Sequence, residues 1–268
     1  MGSVEYNAPM WAKTTLIAAM SAAAGAADVL YLLRSHVFVA TMTVNILFSG
    51  LTLAPNDVAD AAGVFWSVGV YFLVLLANSL GACTYTVLKE MPHTAVLASL
   101  MCAGSLALSE MFWIWAVNSA PGASGMGAAP AEWVAAVFVS FNFGLQNSLT
   151  LDAPMKTNTS FHTGNFHKIA KVPYMYGKGA PRKSYEMLAP PVAGIVMTTV
   201  GGICGGALVA TFGANSSFPF FFVALLQVVP LAMVDLFVVP DAGKKLQEDD
   251  PLLAARLPGA GPQNAAAI

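Results

Sequence analysis

The sequence predicts an all-α protein: a polytopic membrane bundle of six transmembrane helices. Apolar residues make up 57% of the 268 residues and charged residues only 10%, whereas a soluble domain carries about 25% charged residues. Six segments stay apolar over the roughly 20 residues that a helix needs to cross the hydrocarbon core. The basic residues between these segments collect on one side of the predicted bundle.

Six apolar segments form the predicted helices. They cover residues 12–33, 61–83, 93–117, 132–151, 187–211 and 218–239. Two further stretches, 36–53 and 155–170, follow the first and fourth segments; one is apolar but contains Thr41 and Asn45, and the other is too polar to face lipid. Irregular backbone is tolerated at membrane depth only where protein or water surrounds it. Both stretches are therefore predicted to be re-entrant or broken segments packed within the bundle.

The distribution of basic residues predicts the orientation, because cytoplasmic loops carry the excess of Lys and Arg. With six crossings, eleven of the twelve basic residues fall on one face, and Arg34 is the exception. Five or seven crossings would scatter these charges. Both termini are therefore predicted to lie on the basic face, which would be cytoplasmic, matrix or stromal.

Two similar three-helix units follow from this organisation. The chain divides into an N-terminal segment, the first unit, the second unit and a polar C-terminal tail, covering residues 1–11, 12–118, 131–239 and 240–268. The N-terminal segment lacks the basic region of a signal peptide, so the first helix is expected to be retained. The tail is rich in Pro, Gly and Ala and is expected to be mobile or to dock a partner.

Short motifs recur in the two units. Gly25-Ala26-Ala27-Asp28 is echoed by Gly144-Leu145-Gln146-Asn147, and Thr43-Val44-Asn45 by Thr163-Gly164-Asn165. Within each unit the two motifs have nearly the same spacing. Asn45 follows Asp28 by 17 residues in the first unit, and Asn165 follows Asn147 by 18 in the second. A repeated unit of three helices reverses its orientation, so the sequence predicts an inverted repeat. Secondary transporters commonly have this architecture, with their sites at the repeat interface.

At these motifs the chain resembles the YoaK-like family of six-helix bacterial membrane proteins. The matching stretches are GAADVLYLL, FVATMTVNILFSG, FGLQNSL and TSFHTGNFHKI, and the resemblance runs from about residue 14 to residue 239. Val44 stands where the family carries a glycine, and the segment 166–186 is longer and more basic. The resemblance implies a six-helix fold and a small-molecule transporter, but it indicates no substrate.

Polar residues in the apolar segments are the candidate site residues. Asp28 suggests proton or cation coupling, since a carboxylate at membrane depth is costly; alternatively, it caps the backbone of the broken segment after it. The amides and hydroxyls are predicted to line one polar cavity between the units or to satisfy unwound backbone. Glu110 either serves the same pathway or forms a hydrogen bond to a neighbouring helix. The full set is Asp28, Thr43, Asn45, Glu110, Gln146, Asn147, Thr163 and Asn165.

Several function classes find no support in the sequence. The cysteines and histidines lack metal-binding spacing and no nucleophile set is visible, so no metal, no cofactor and no enzymatic activity are predicted. A net charge of −2 gives no reason to expect a nucleic-acid partner. One basic cluster is expected to bind anionic lipid headgroups, to dock a partner or only to obey the positive-inside rule. It comprises Lys168, Lys171, Lys178, Arg182 and Lys183.

The leading functional prediction is a small-molecule transporter or permease with its pathway between the two units. The alternative is a non-transporting structural subunit of a larger respiratory or photosynthetic membrane complex, which the altered motif at Val44, the basic segment and the long tail favour. The predicted partners are the lipid bilayer and either other membrane subunits or a second copy of the chain. A water-lined cavity at Asp28 and Asn147 would favour transport, and a packed centre would favour the subunit.

Overall fold

The computed structural model describes residues 9–53, 67–91, 93–119, 131–152, 157, 159, 162–172 and 186–237. These residues form eight helices and no strand. The helices are α1 (Met10–Ser35), α2 (Met42–Leu51), α3 (Val68–Leu88), α4 (Thr94–Ser119), α5 (Ala131–Asp152), α6 (His162–Ala170), α7 (Ala189–Phe212) and α8 (Ser217–Phe237). All except α2 and α6 are long and apolar enough to cross a bilayer. The predicted all-α bundle of six membrane helices is confirmed.

Helices α1 and α5 occupy the centre of the bundle. In their most hydrophobic windows 72% and 67% of the residues are buried, compared with 17–39% in the other four long helices. The centre of α1 is a run of small residues from Ala22 to Ala27, all of them buried. Small residues let helix backbones approach closely in a membrane, where lipid supplies no hydrophobic drive for association. The alanine run therefore explains why α1 can pack on several helices at once.

Helix α1 crosses α7 at glycines that leave no room for a side chain. A Cβ atom on Gly25 would lie 2.0 Å from the backbone oxygen of Thr198, and one on Gly201 would lie 2.0 Å from that of Ala22. The Thr198 hydroxyl also donates to the Ser21 carbonyl at 3.1 Å. The two backbones are therefore in direct contact at this crossing.

Helix α5 crosses α3 in the same manner. A Cβ atom on Gly144 would lie 1.9 Å from the backbone oxygen of Asn78, and one on Gly81 would lie 2.0 Å from that of Phe141. Here the Asn78 amide donates to the Ser140 carbonyl at 3.2 Å. At each crossing the central helix thus contributes one glycine and the outer helix contributes a second. The second glycine, Gly201 or Gly81, lies three positions after the residue whose side chain bonds across the crossing, Thr198 or Asn78.

The helix contacts follow one pattern in both units. Helix α1 packs on α7 and α8, and α5 packs on α3 and α4; α2 lies against α3, and α6 against α7. Two further contacts, α1 with α5 and α4 with α8, join corresponding helices of the two units. Exchanging α1–α4 for α5–α8 leaves this set of contacts unchanged.

The two extra stretches, which were predicted to be re-entrant or broken segments, contain short helices. Helices α2 and α6 contain ten and nine residues, so each extends about 15 Å or less at 1.5 Å per residue and cannot span the membrane. The expectation that both stretches are packed within the bundle is wrong for the outer face of α2. Met42 and Asn45 are its buried residues, while Ile46 and Leu47 are 57% and 63% exposed. A lipid-facing surface suits these apolar side chains.

Candidate functional site

The carboxylate of Asp28 lies on the N-terminal side of α2. Its Oδ1 atom accepts the backbone N–H groups of Val39 at 2.9 Å, Ala40 at 2.7 Å and Thr41 at 3.3 Å, and the Thr41 hydroxyl donates to Oδ2. Thr41 is also the N-cap residue of α2, so the carboxylate sits where the helix dipole is positive. The buried charge is therefore compensated by backbone groups.

Asn45 supports the same irregular stretch from the other side. Its Oδ1 atom accepts the Phe38 N–H at 3.1 Å, and its Nδ2 atom donates to the Phe38 carbonyl. Buried peptide groups outside a helix need such partners, because neither lipid nor the helix ladder supplies them. Asp28 and Asn45 thus make the contacts that the capping interpretation requires, while a role for Asp28 in ion coupling stays a prediction.

Removing the carboxylate should destabilise the protein. Asp28→Ala leaves three backbone N–H groups without their acceptor, and we expect it to lower the free energy of unfolding by about 3 kcal/mol. Asp28→Asn should cause a smaller loss, since the amide oxygen can still accept. Thermal unfolding in detergent measures the effect, and Thr43→Ala, an exposed change on α2, is the control. Equal stability of Asp28→Ala and the control would contradict this role.

In the second unit, Gln146 and Asn147 meet at one hydroxyl. The Gln146 Nε2 atom donates to the Thr159 Oγ1 atom at 2.9 Å, and the Thr159 hydroxyl donates to the Asn147 Oδ1 atom at 3.0 Å. Gln146 Nε2 also donates to the Met20 carbonyl of α1 at 3.3 Å. These contacts join α5, α1 and the stretch preceding α6. Asn147 corresponds to Asp28 in the repeated motif, so a neutral amide takes the place of the carboxylate.

Some polar atoms of these side chains are open, meaning that they have no hydrogen-bond partner among the described residues. Gln146 Oε1 and Asn147 Nδ2 are buried without a hydrogen-bond partner in the described part of the chain. The same holds for Oδ1 of Asn142, one turn earlier on α5, whose Nδ2 donates to the Cys102 carbonyl at 3.4 Å. A buried polar group without a partner costs about 1–3 kcal/mol, and native proteins contain few of them. This cluster is therefore the strongest candidate for a binding site.

The sequence prediction missed two of the open amides. Asn142 could have been found from its i, i+4 spacing to Gln146 on an apolar helix. Gln227 on α8 is fully buried, and neither its Nε2 nor its Oε1 atom has a partner among the described residues. Its only signal in the sequence is an isolated amide within an apolar segment.

The three remaining hydroxyl and amide candidates, Asn165, Thr43 and Thr163, lie on the short helices α6 and α2. Asn165 is fully buried on α6. Thr43 was predicted to line a polar cavity, but it is exposed on α2, so that prediction is wrong. Thr163 belongs to α6, and its side chain lies outside the described part of the structure.

Glu110 lies apart from the amides and pairs with Arg34. The Arg34 Nη1 atom donates to Glu110 Oε2 at 2.8 Å. Arg34 also donates from Nε and Nη2 to the carbonyls of Ala214 and Ser216, both at 2.8 Å. Its guanidinium lies 4.7 Å from the ring centroid of Trp113, a favourable cation–π distance. The pair therefore ties α1 to α4 and to the connection between α7 and α8.

The signal for this ion pair was present in the sequence. Arg34 is the one basic residue that breaks the charge distribution, and Glu110 is an acid within an apolar segment. Of the two interpretations of Glu110, this contact bears out the hydrogen bond to a neighbouring helix, while a role in a pathway stays a prediction. What the sequence alone could not supply was the pairing of two residues 76 positions apart.

Two cavities in the described part of the structure are apolar and lie away from the predicted centre. One, of about 460 Å³, is a groove between α4 and α8 in which Glu110 is the single polar lining residue. The other, of about 140 Å³, lies beside Trp11 and Pro230. Neither cavity touches Asp28 or Asn147.

The predicted basic cluster is only partly described. Lys168 is half-buried on α6, and this burial lowers the pKa of its amine. Lys171 is exposed just after α6, while Lys178, Arg182 and Lys183 lie outside the described residues. Within the described ranges, no group of three His, Cys, Asp or Glu side chains could hold a metal ion.

Comparisons with known proteins identify a family but no function. No curated protein and no solved structure matches the chain. A family model described as "protein of unknown function (DUF1275)" matches residues 16–232, most of the chain and all but the ends of the six-helix bundle. This agrees with the resemblance to six-helix membrane proteins of undefined function seen in the motifs. The chain therefore belongs to the DUF1275 family of membrane proteins.

Proposed function

We propose that this protein is a small-molecule transporter whose pathway lies where α5 faces α1, between two inverted three-helix repeats. The matched glycine crossings of α1 with α7 and of α5 with α3 support the repeat. So do the two short helices at corresponding positions. In transporters of this kind the solute site lies at the repeat interface, beside interrupted helices.

The observation that carries the proposal is the set of open amide atoms on α5. Asn142, Gln146 and Asn147 are buried, and each has one polar atom without a partner among the described residues. A purely structural polar network is expected to satisfy its members, since a half-satisfied network destabilises the fold. A passing solute would supply the missing hydrogen bonds. Asp28 and Asn45 have a different part in the proposal, because they hold the broken segment in place.

Efflux from reconstituted vesicles tests the proposal. Proteoliposomes are loaded with a mixture of amino acids, polyols, nucleobases and carboxylates, and mass spectrometry follows which solute leaves. We expect at least one solute to leave faster than from protein-free vesicles, and Gln146→Leu to reduce that rate at least tenfold. Ser79→Ala is the matched control, since the Ser79 hydroxyl lies on an exposed face of α3 and bonds only within its own helix. Protein-free rates for all solutes would refute transport.

A second candidate is a structural subunit of a larger membrane complex. Direct backbone contact at the glycine crossings, together with the buried alanines of α1, favours it, because such packing leaves little room for a pathway. Gentle solubilisation of the native membrane discriminates the two functions. Co-migration with a large complex, together with absent flux, would establish the subunit; a monomer or homodimer with flux would establish the transporter.

A further inference from the structure

We infer that the α5 amides Asn142, Gln146 and Asn147 form a binding site for a small uncharged polar solute that carries both donor and acceptor groups. This inference rests on the proposed function, because it names the class of solute that the transporter would accept. It depends on two properties of the described core: which buried charges are already compensated, and which hydrogen-bonding atoms are open.

The buried charges are compensated within the protein. Asp28, Arg34 and Glu110 are the charged side chains buried in the described part of the chain. Asp28 accepts backbone N–H groups, while Arg34 and Glu110 bond to each other. No hydrogen bond joins any of these three side chains to the open amides in the described part of the chain. A charged solute at the amides would therefore have no oppositely charged side chain beside it. Moving an unpaired ion from water into such a core is very unfavourable.

The open atoms match a neutral amide or a polyol. Gln146 Oε1 and Asn142 Oδ1 are acceptors and Asn147 Nδ2 is a donor. Gln146 and Asn147 lie within 3.0 Å of one hydroxyl, that of Thr159, so their amide ends are close together. Asn142 lies four residues before Gln146, about 6 Å along the helix axis. A solute with an N–H or O–H group beside a carbonyl or hydroxyl oxygen can bond to both neighbouring amides.

The sites in the two repeats differ in a way that fits this assignment. In the first repeat, the corresponding side chain is Asp28; its Oδ1 atom accepts the backbone N–H groups of residues 39–41, and its Oδ2 atom accepts the Thr41 hydroxyl. In the second, the corresponding side chain is Asn147, which bonds to Thr159 through Oδ1 and keeps Nδ2 open. In the first repeat the protein itself therefore supplies the hydrogen bonds to the side chain, whereas in the second repeat one hydrogen-bonding atom remains for a ligand.

Binding of two isosteric pairs tests the site directly. Binding to the full chain in lipid nanodiscs is measured by equilibrium dialysis with radiolabelled acetamide against acetate and urea against guanidinium. We expect acetamide and urea to bind above the level of empty nanodiscs, and their charged partners to bind at least fivefold more weakly. Gln146→Leu should reduce acetamide binding at least fivefold, and Ser79→Ala should leave it unchanged. Asn142→Leu is the second variant, should Gln146→Leu fail to fold.

The outcomes separate this inference from the proposed transport. Acetamide binding that depends on Gln146, without flux from vesicles, supports the site and refutes the transporter. Flux accompanied by equal binding of acetate or guanidinium overturns the inferred solute class and leaves transport standing. Absence of acetamide binding to the native chain, or binding that both leucine variants retain, overturns the site.

Discussion

Replacing Gly144 by alanine is expected to prevent the bundle from folding correctly. The added Cβ atom would lie 1.9 Å from the Asn78 backbone oxygen, where neither partner can move without shifting a whole helix. Gly25 is the equivalent position on α1, where a Cβ atom would lie 2.0 Å from the Thr198 oxygen. Since overpacking a rigid core typically destabilises by about 1–3 kcal/mol and occasionally more, we expect each alanine variant to lose about 3 kcal/mol or more.

Two other glycines provide matched controls for this prediction. Gly104 in α4 and Gly50 in α2 have no atom within 4 Å of an added Cβ, and alanine has the higher helix propensity. Gly104→Ala and Gly50→Ala should therefore leave stability unchanged or raise it slightly. Fluorescence-detected size exclusion and thermal unfolding in detergent measure all four variants. Monodisperse Gly144→Ala protein with native stability would show that α3 and α5 are not in backbone contact.

Removing the Glu110 carboxylate is expected to have an effect of similar size. Glu110→Leu leaves the Arg34 guanidinium buried without its counter-ion, although the Ala214 and Ser216 carbonyls still accept two of its hydrogen bonds. Breaking one partner of a buried ion pair typically destabilises by about 3–5 kcal/mol. We expect a loss in this range, measured as the shift in thermal unfolding of the purified protein.

A double variant distinguishes loss of the pair from loss of packing. Arg34→Met combined with Glu110→Leu removes both charges while keeping apolar volume, and such replacements are often neutral or stabilising. We expect the double variant to recover at least half of the stability lost in Glu110→Leu. Glu90→Gln, an exposed change after α3, is the control for a lost surface charge. A double variant less stable than Glu110→Leu would assign the effect to shape rather than charge.

The membrane fold could be predicted from the sequence because hydrophobic length sets it. Each spanning helix needs about 20 apolar residues, and each of the six predicted segments overlaps one observed helix. The two short segments could be predicted as re-entrant or broken, because polar residues interrupt the apolar stretch around Asn45 and dominate the stretch around Asn165. Helix positions within the bundle were not predictable, because they depend on contacts between distant residues, such as those that Gly81 and Gly144 make with the backbones of Phe141 and Asn78.

The candidate site was predicted in part, and the errors have physical causes. The repeated motifs pointed to Asp28 and Asn147, whose side chains bond to the stretches that follow α1 and α5. The prediction that Thr43 lines a cavity was wrong because Thr43 lies on another side of α2. The buried side of this helix is formed by Met42 and Asn45, three residues apart. Asn142 was missed because it has no equivalent in the repeated motifs, although it lies beside them on α5.

The position of Arg34 bears on how the two halves can move. Its guanidinium holds α1 and α4 of the first half and the Ala214–Ser216 turn of the second, and it does so at the end of α1 farthest from the N terminus. Rocking that separates the halves at this end would break two charge-assisted hydrogen bonds at once, those from Arg34 to the Ala214 and Ser216 carbonyls. In the proposed transporter we therefore expect this end to act as the pivot, so that a solute would gain access from the membrane side on which the chain begins.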